Sequence, residues 1–179
     1  NFYFYIFFIL SLIHFSFANS QEIQKIIITG NDRISEETII LFSDVKLNQT
    51  ITNEKLNEIL KNLYNTDFFE NVSVNISDDR LLISVIESPI IDKIEFKGIK
   101  ADKILDGLNK VISLKSRSSF NEFKITNDRA IIKNYLKDIG YYFADLETIV
   151  ESLDNNLVRV IHDIELGNKA KIKKISFIG

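Results

Sequence analysis

The sequence contains no cysteine, one proline and two histidines. The absence of cysteine excludes disulfide bonds and metal sites with thiolate ligands, although it does not identify the cellular compartment. The formal net charge of −3 provides no basic surface of the kind that nucleic-acid-binding domains carry, so we expect no nucleic-acid partner. The only proline, Pro89, lies near the middle of the chain and predicts a joint between two domains.

Histidine, the side chain that most often acts as a general acid or base, is equally scarce. His14 lies in an apolar N-terminal segment, and His162 lies beside Asp163 on a predicted strand. A single histidine on a strand is more often packed or at the surface than a general base. The sequence contains no phosphate-binding glycine loop, no HExxH motif and no Ser-His-Asp order. We therefore expect a protein that is not an enzyme and needs no cofactor and no metal.

The first residues predict an export signal. The segment from Phe2 to Phe17 is almost wholly apolar and uncharged. As a helix it would span about 24 Å, less than the ~30 Å hydrocarbon core of a membrane. Ser16-Phe17-Ala18 places small residues where signal peptidase cleaves, and polar residues follow. Residues 1–19 are therefore predicted to be a signal peptide, with an uncleaved membrane anchor as the alternative.

A short motif occurs three times along the chain. Isoleucine, lysine, isoleucine and glycine recur at the same offsets in residues 23–30, 91–98 and 172–179. Repetition on this scale indicates an array of similar units. We predict a first domain over residues 20–88, a second over 89–167, and the truncated start of a third over 168–179.

Each copy of the motif is typical of a short strand that ends in a turn. Gly30 and Gly98 close the first two copies, because a chain that leaves a strand through a tight turn often needs a positive φ. Asn31 continues the first turn. These three residues are predicted to have a structural role.

The remaining pattern of the first unit predicts the order β-α-α-β-β. Ser35 can cap one helix, and a second helix begins near Thr52. An apolar stripe on that second helix predicts its buried face, formed by Leu56, Ile59, Leu60 and Leu63. Residues 72–76 alternate between apolar and polar, whereas residues 81–86 are apolar on both faces. The second strand is therefore predicted in the middle of the sheet and the first at its edge, with Leu60, Leu63, Val72, Val74 and Ile83 buried.

The second unit predicts the same order. Helices are expected over Asp102–Lys110 and around residues 125–135, and strands over residues 143–151 and 157–165. The polar loop Ser113–Ser119 is expected to account for most of the extra length of this unit. The predicted fold class is α+β: tandem βααββ units, each with a three-stranded mixed sheet packed by two helices.

These residues resemble the POTRA (polypeptide-transport-associated) repeats of BamA-type outer-membrane-protein assembly factors. The resemblance covers residues 23–179. Three segments carry it: Ile26-x-Ile28-x-Gly30-Asn31-x-Arg33-Ile34-Ser35, Leu63-Tyr64-x-Thr66-x-Phe68-Phe69-x-Asn71-Val72 and Val85-x-Glu87-x-Pro89-x-Ile91. The second unit departs from the first motif, because Ile99 stands at the position of Asn31.

The resemblance implies a periplasmic arm ahead of a C-terminal β-barrel in the outer membrane. The implied partners are unfolded outer-membrane proteins and accessory assembly lipoproteins. Two alternatives are a POTRA-bearing division protein of the FtsQ type and a two-partner secretion transporter. FtsQ-type proteins carry an uncleaved anchor and one POTRA unit, whereas this sequence predicts at least two units.

For such an arm, we expect unfolded clients to bind along the sheet edge, where backbone N–H and C=O groups are unpaired. The predicted client-binding residues are Val72, Ser73, Val74, Asn75 and Ile76 in the first unit and Leu146, Glu147, Thr148, Ile149 and Val150 in the second. Ser73 and Asn75 are expected to carry N–H groups that a proline would remove from the edge.

Overall fold

The computed structural model of the protein describes residues 21–171. The predicted signal peptide and the third copy of the motif, residues 172–179, lie outside the described residues. The described chain forms two compact units, divided mainly between Val85 and Ile86.

The first repeat contains five strands and two helices. In chain order they are β1 (Gln21–Glu22), β2 (Lys25–Thr29), α1 (Glu36–Ser43), β3 (Thr50–Ile51), α2 (Asn53–Tyr64), β4 (Phe69–Ser77) and β5 (Arg80–Glu87). The main sheet has the strand order β2-β5-β4, and β2 runs parallel to β5. The turn at Asp78 and Asp79 joins β4 to β5, and only antiparallel neighbours can be joined so tightly.

The second repeat has the same order of main elements. They are β6 (Ile90–Lys97), α3 (Asp102–Val111), α4 (Glu122–Asp138), β7 (Asp145–Leu153) and β8 (Leu157–Glu165). The sheet has the order β6-β8-β7, with β6 parallel and β7 antiparallel to β8. The predicted three-stranded mixed sheet with two helices is therefore present in both repeats.

Side chains cap the helices where the sequence predicts it. The hydroxyl of Ser35 accepts a hydrogen bond from the Thr38 N–H at 3.3 Å, and the hydroxyl of Thr52 accepts one from the Lys55 N–H at 3.3 Å. A hydrogen bond from its own backbone N–H, and then one from the Ser35 hydroxyl, lower the pKa of Glu37. Carboxylates at these positions also interact favourably with the positive end of the helix dipole.

The core of the first repeat confirms part of the predicted buried set. Leu63, Val72 and Ile83 are buried, whereas Leu60 and Val74 are only half-buried. On α2 the fully buried residues are Ile59 and Leu63, four positions apart. Leu60 is rotated by about 100° from Ile59 around the helix and therefore lies at the margin of the buried face.

The core of the second repeat forms where α3 and α4 cover the sheet. Its buried residues fall into two clusters: Ile99, Leu108, Ile112, Ile132, Leu136, Leu146 and Ile164; and Ile91, Leu114, Ile125, Val158 and Val160. The helices approach closely at Gly107, where a Cβ would lie 1.8 Å from the Tyr135 hydroxyl. Glycine therefore leaves the space that this tyrosine occupies.

The structure corrects the predicted source of the extra length. α3 has 10 residues where α1 has 8, and α4 has 17 where α2 has 12. Both helices are thus longer in the second repeat, whereas the connection around Ser113–Ser119 is similar in both repeats. The second helix starts a turn earlier, at Glu122, because Asn121 caps it by accepting a hydrogen bond from the Lys124 N–H.

The bounds of one strand are also corrected. β7 spans Asp145–Leu153 and not residues 143–151, whereas β8 spans residues 157–165 as predicted. Asn155 and Asn156 both have positive φ angles, of 60° and 54°, which fixes the tight turn after Leu153. Phe143 lies in a turn before the strand and is 84% exposed.

The sequence gives no sign of a further backbone feature that both repeats share. In the first repeat, the Ile23 N–H donates to the Gln49 carbonyl and the Ile23 carbonyl accepts from the Asn48 N–H. In the second, the Ile91 N–H donates to the Ser118 carbonyl and the Ile91 carbonyl accepts from Arg117. Glu22 pairs with Thr50, and Ile90 forms the matching bridge with Ser119. We call this short pairing between the start of each repeat and its inter-helix loop the entry ribbon.

Candidate functional site: the sheet edges

The predicted client-binding strands lie at sheet edges. β4 and β7 are each one of the two outer strands of their sheet, and each is nine residues long. In β4, Val72 is buried, Val74 and Ile76 are half-buried, and Ser73 and Asn75 are exposed. The Asn75 amide donates to the Ser73 hydroxyl at 3.0 Å, so both side chains lie on the open face of the sheet, opposite the helices.

β7 presents a different set of side chains. Leu146 is buried under the helices, Thr148 is half-buried, and Glu147 is exposed. Ile149 and Val150 are 38% and 39% exposed. The predicted residues of each edge therefore lie together on one strand, with alternate side chains on the covered and open faces.

The central strand has the predicted position but not the predicted burial. β5 lies between β2 and β4, yet only Leu81, Ile83 and Val85 are buried along residues 81–86. Ser84 is exposed and Ile86 is 56% exposed. Both helices pack on one face of the sheet, so the apolar residues along β5 do not mean that both of its faces are buried.

The opposite edges of the sheets are partly covered. The entry ribbon occupies both backbone groups of Ile23 and of Ile91. In β6 the register shifts between Ile91 and Lys93, which marks a bulge beside the ribbon. β2 is only five residues long. Short edge strands, bulges and covering loops are devices that protect sheet edges from further pairing, so β4 and β7 are the more accessible edges.

The hydrogen bonds determine which residues of β7 direct their backbone groups outward. Both backbone groups of Ile91 point away from β8, so those of its register partner Val158 point toward β6. Backbone direction alternates along a strand, so Arg159, Ile161 and Asp163 point toward β7. Their partners Glu151, Ile149 and Glu147 are therefore committed to the sheet. The intervening residues Leu146, Thr148, Val150 and Ser152 point outward.

One side-chain contact supports this assignment. The Leu146 N–H donates to the Asp145 carboxylate at 2.9 Å, which is consistent with an outward-pointing amide. In the first repeat, the Lys25 N–H donates to the Asp79 carbonyl, so Lys25 directs its backbone groups toward β5. Its register partner Arg80 therefore directs its own toward β4, and backbone direction alternates along β4 as it does along β7. Ser73 and Asn75 correspond to Glu147 and Ile149, so their N–H groups bond within the sheet. Val74 and Ile76 carry the outward groups, contrary to the expectation for Ser73 and Asn75.

Charges are distributed unevenly on the open face of the second sheet. Arg159 lies between Glu151, at 3.4 Å, and Glu95, at 3.8 Å. A hydrogen bond from Lys93 lowers the pKa of Glu95. Farther along the same face, strand register places Glu147 opposite Asp163 and Asp145 opposite Glu165. The sequence did not reveal these acidic pairs, because they depend on the register of the hairpin.

His162 is packed and not poised for catalysis, as its position on a strand suggested. It is 1% exposed, its ring stacks on Phe96 at a centroid distance of 5.3 Å, and its Nδ1 lies 3.0 Å from the Thr148 hydroxyl. Burial lowers its pKa, so the neutral ring is favoured in the folded protein.

The turn glycines are required by geometry. Gly30 has a φ of 82° and Gly98 a φ of 77°. A Cβ on these residues would lie 2.1 Å from the Val85 carbonyl oxygen and 1.9 Å from that of Ile164. Asn31 fixes the first turn by donating from its side chain to the Ile34 carbonyl at 2.9 Å.

Two other kinds of site are absent from residues 21–171. None of the helices there combines the length and the hydrophobicity that a membrane span requires. The same residues contain no group of three or more histidine, aspartate or glutamate side chains that could hold a metal ion.

These features define a class of protein: a tandem array of βααββ repeats, each with a nine-residue edge strand on the side of its sheet away from the entry ribbon. The sequence matches the POTRA family, described as "Surface antigen variable number repeat", over residues 21–88 and again over residues 89–167. Because the two matches cover more than half of the sequence, the chain belongs to the POTRA family.

Curated relatives include proteins named outer membrane protein assembly factor BamA. The chain is 31% identical over 160 residues to BamA of Neisseria meningitidis serogroup B, covering 88% of this chain and 20% of that protein. It is 26% identical over 166 residues to BamA of Neorickettsia risticii, covering 92% of this chain and 22% of that protein. The chain therefore spans about a fifth of the length of these relatives.

Solved structures share the fold. The N-terminal domain of Omp85 from Thermosynechococcus elongatus has a TM-score of 0.54 at 15% identity, covering 80% of this chain and 62% of that one. POTRA1-2 of Omp85 from Anabaena has a TM-score of 0.50 at 15% identity, with coverages of 80% and 94%. The predictions of an α+β POTRA fold and of BamA-type repeats are thus confirmed.

Proposed function

We propose that the two repeats belong to the periplasmic arm of an outer-membrane-protein assembly factor and dock unfolded β-barrel clients by adding a client strand to β4 and β7. The proposal extends to recruitment of accessory lipoproteins and to a C-terminal barrel in the outer membrane. The BamA relatives support this role, and because they are named as assembly factors they support a protein that is not an enzyme.

The observation that carries client docking is the equivalent edge in both repeats. Each sheet leaves a nine-residue strand at one side while the other side carries the entry ribbon. Backbone pairing is indifferent to most client side chains, which suits a surface that accepts many sequences. Binding should be weak, because each hydrogen bond contributes about 0.5–1.5 kcal/mol net while the client loses chain entropy.

Nuclear magnetic resonance can test the docking surface. An isotope-labelled sample of the chain is titrated with extended peptides from an outer-membrane β-barrel protein. Signals of β4 and β7 should shift while those of the four helices stay in place. Shifts confined to the helices, with β4 and β7 unchanged, would contradict client docking by strand addition.

A proline variant tests backbone pairing directly. Val150→Pro removes an outward N–H from β7 and keeps the bonds to β8, because proline is tolerated on an edge strand when its missing N–H faced solvent. Peptide-induced shifts in β7 should weaken, whereas those in β4 should not change. Val150→Ala is the matched control because it shortens the side chain and retains the N–H, and it should behave like the parent.

Localisation rests on the predicted leader. We propose export through the segment ending near Ala18, with the mature chain at the periplasmic face of the outer membrane. N-terminal sequencing of protein exported from a Gram-negative host should find a start near Asn19. A mature chain that still begins before Phe17 would favour the anchored, division-type alternative.

A further inference from the structure

We infer that the two edges select different client segments, and that the β7 edge accepts segments with Lys or Arg at alternate positions. This inference rests on the client docking proposed above and specifies the chemistry of the client. It comes from four carboxylates that the register of β7 and β8 places together on the open face of the second sheet.

The four carboxylates form two directly opposed pairs. Asp145 faces Glu165 and Glu147 faces Asp163 across the antiparallel strands, and all four residues are exposed. Like charges directly opposite in such a pair are destabilising. The fold therefore holds negative charge together at one end of β7, where an incoming strand would lie.

These carboxylates differ from the one farther along the strand. Glu151 is matched by Arg159 at 3.4 Å. Among residues 21–171, in contrast, no lysine or arginine forms an ion pair with Asp145, Glu147, Asp163 or Glu165. Lys97 lies opposite Asp163 in the register of β6 and β8 but does not reach ion-pair distance. On the open face, Glu151 is thus held in an ion pair, whereas the four carboxylates form none within residues 21–171.

A client strand can supply the missing positive charge. Residues directly opposite on paired strands have Cβ atoms about 4.5–5.5 Å apart, so a strand added to β7 places alternate side chains beside Asp145 and Glu147. Lys or Arg at those two positions would relieve the repulsion. The next alternate position lies beside Ile149, which favours an apolar residue there.

The β4 edge provides an internal comparison. Its only charged residue is Glu70, at the second position of the strand. The exposed residues in its middle are Ser73 and Asn75, and the central strand beside it presents Ser84. These groups are uncharged, so β4 has no electrostatic reason to prefer a basic client over a neutral one.

Three peptides with the length of β7 distinguish the edges. All alternate valine with a second residue, which is lysine, threonine or glutamate. In the isotope-labelled chain at low salt, the lysine peptide should bind β7 more tightly than the threonine peptide, by about two- to five-fold for each exposed charge pair. β4 should bind both alike, and added salt should remove the preference at β7.

Paired variants locate the effect. Asp145→Asn with Glu147→Gln should abolish the preference for the lysine peptide while retaining binding of the threonine peptide. Glu151→Gln with Asp154→Asn changes the net charge equally on the same hairpin and should retain the preference. A preference that survives the first pair, or that appears equally at β4, overturns the inference while strand docking stands. Failure of every peptide to shift either edge overturns docking itself, and the inference with it.

Discussion

Both repeats form the entry ribbon with the same backbone hydrogen bonds, but different side chains support the inter-helix loop in each. In the first repeat the inter-helix loop carries a bond from the Lys46 N–H to the Gln49 side chain, in an exposed position. In the second, the buried carboxylate of Asp128 on α4 accepts from the Ser113 N–H at 2.7 Å, the Ser113 hydroxyl at 2.8 Å and the Leu114 N–H at 3.0 Å.

The difference follows from the length of the second helix. Ile125-Thr-Asn-Asp128 repeats the sequence pattern of Ile51-Thr-Asn-Glu54, yet Glu54 lies in the first turn of its helix and Asp128 in the second. The additional turn carries Asp128 over the loop and buries it. The entry ribbon is therefore a property of the repeat, whereas the side chains that hold it depend on local helix length.

The largest expected effect tests what the repeats share. Leu63 on α2 and Leu136 on α4 are both fully buried. Leu63→Ala and Leu136→Ala should each cost about 2–5 kcal/mol in the repeat that contains them, as large-to-small core substitutions do. Urea unfolding followed by signals from each repeat measures the two losses separately. Leu60→Ala, at a half-buried position, should cost less, and an equal loss would show that the buried face of α2 is wrongly assigned.

The next effect tests what the repeats do not share. Asp128→Ala leaves buried loop donors without an acceptor and should destabilise the second repeat by about 2–4 kcal/mol, because hydrogen bonds to a buried charged group are among the stronger ones. Urea unfolding of the second repeat measures this loss. Glu54→Ala, at the exposed position with the same sequence pattern, should change the first repeat little. Similar losses at both positions would remove the distinction drawn between the two loops.

A pH effect linked to histidine should appear in the second repeat only, because residues 20–88 contain no histidine. Burial lowers the pKa of His162 below its ordinary value of 6.5, while Asp128 opposes this shift and Arg129 adds to it. The stabilisation is present above the ordinary pKa and is lost as pH falls toward the folded-state value, because the unfolded chain binds the proton first. Ile83 occupies the equivalent position in the first repeat.

Unfolding of the two repeats across this pH range measures the difference. His162→Gln should reduce the pH dependence of the second repeat while leaving the first unchanged. An equal pH dependence in the parent and the variant would assign the effect to other groups.

The smallest effect concerns the turn of the entry ribbon. Asn48 and Arg117 occupy the same position in it, with φ angles of 60° and 68°. Asparagine tolerates this left-handed region better than arginine does. Arg117→Asn should stabilise the second repeat by about 0.5–1 kcal/mol, measured by urea unfolding. The reverse change, Asn48→Arg, should destabilise the first repeat by a similar amount, and unchanged stability in both would show that the turn carries no strain.

The order of elements and the edge position of β4 and β7 could be predicted because alternation, helical stripes and capping residues are local signals. The entry ribbon could not, since pairing of two residues leaves no periodic pattern. The greater length of α4 could not be predicted, because the sequence match between Ile125-Thr-Asn-Asp128 and Ile51-Thr-Asn-Glu54 aligns residues that lie in different helical turns. The outward backbone groups were misplaced at Ser73 and Asn75, because an exposed side chain says nothing about the direction of the N–H beside it.

The parallel strand of each sheet has a consequence for how the repeats fold. The hairpin of β7 and β8 closes through a short turn between Leu153 and Leu157, whereas β6 first pairs with β8 between Ile90 and Leu157, at opposite ends of the repeat. Contacts between distant residues form late, because a longer loop must be closed first. Until β6 pairs with β8, the second edge of β8 is unpaired as well. A repeat whose β6 has not yet paired would therefore present open edges on both β7 and β8, and the parallel strand removes the second of them.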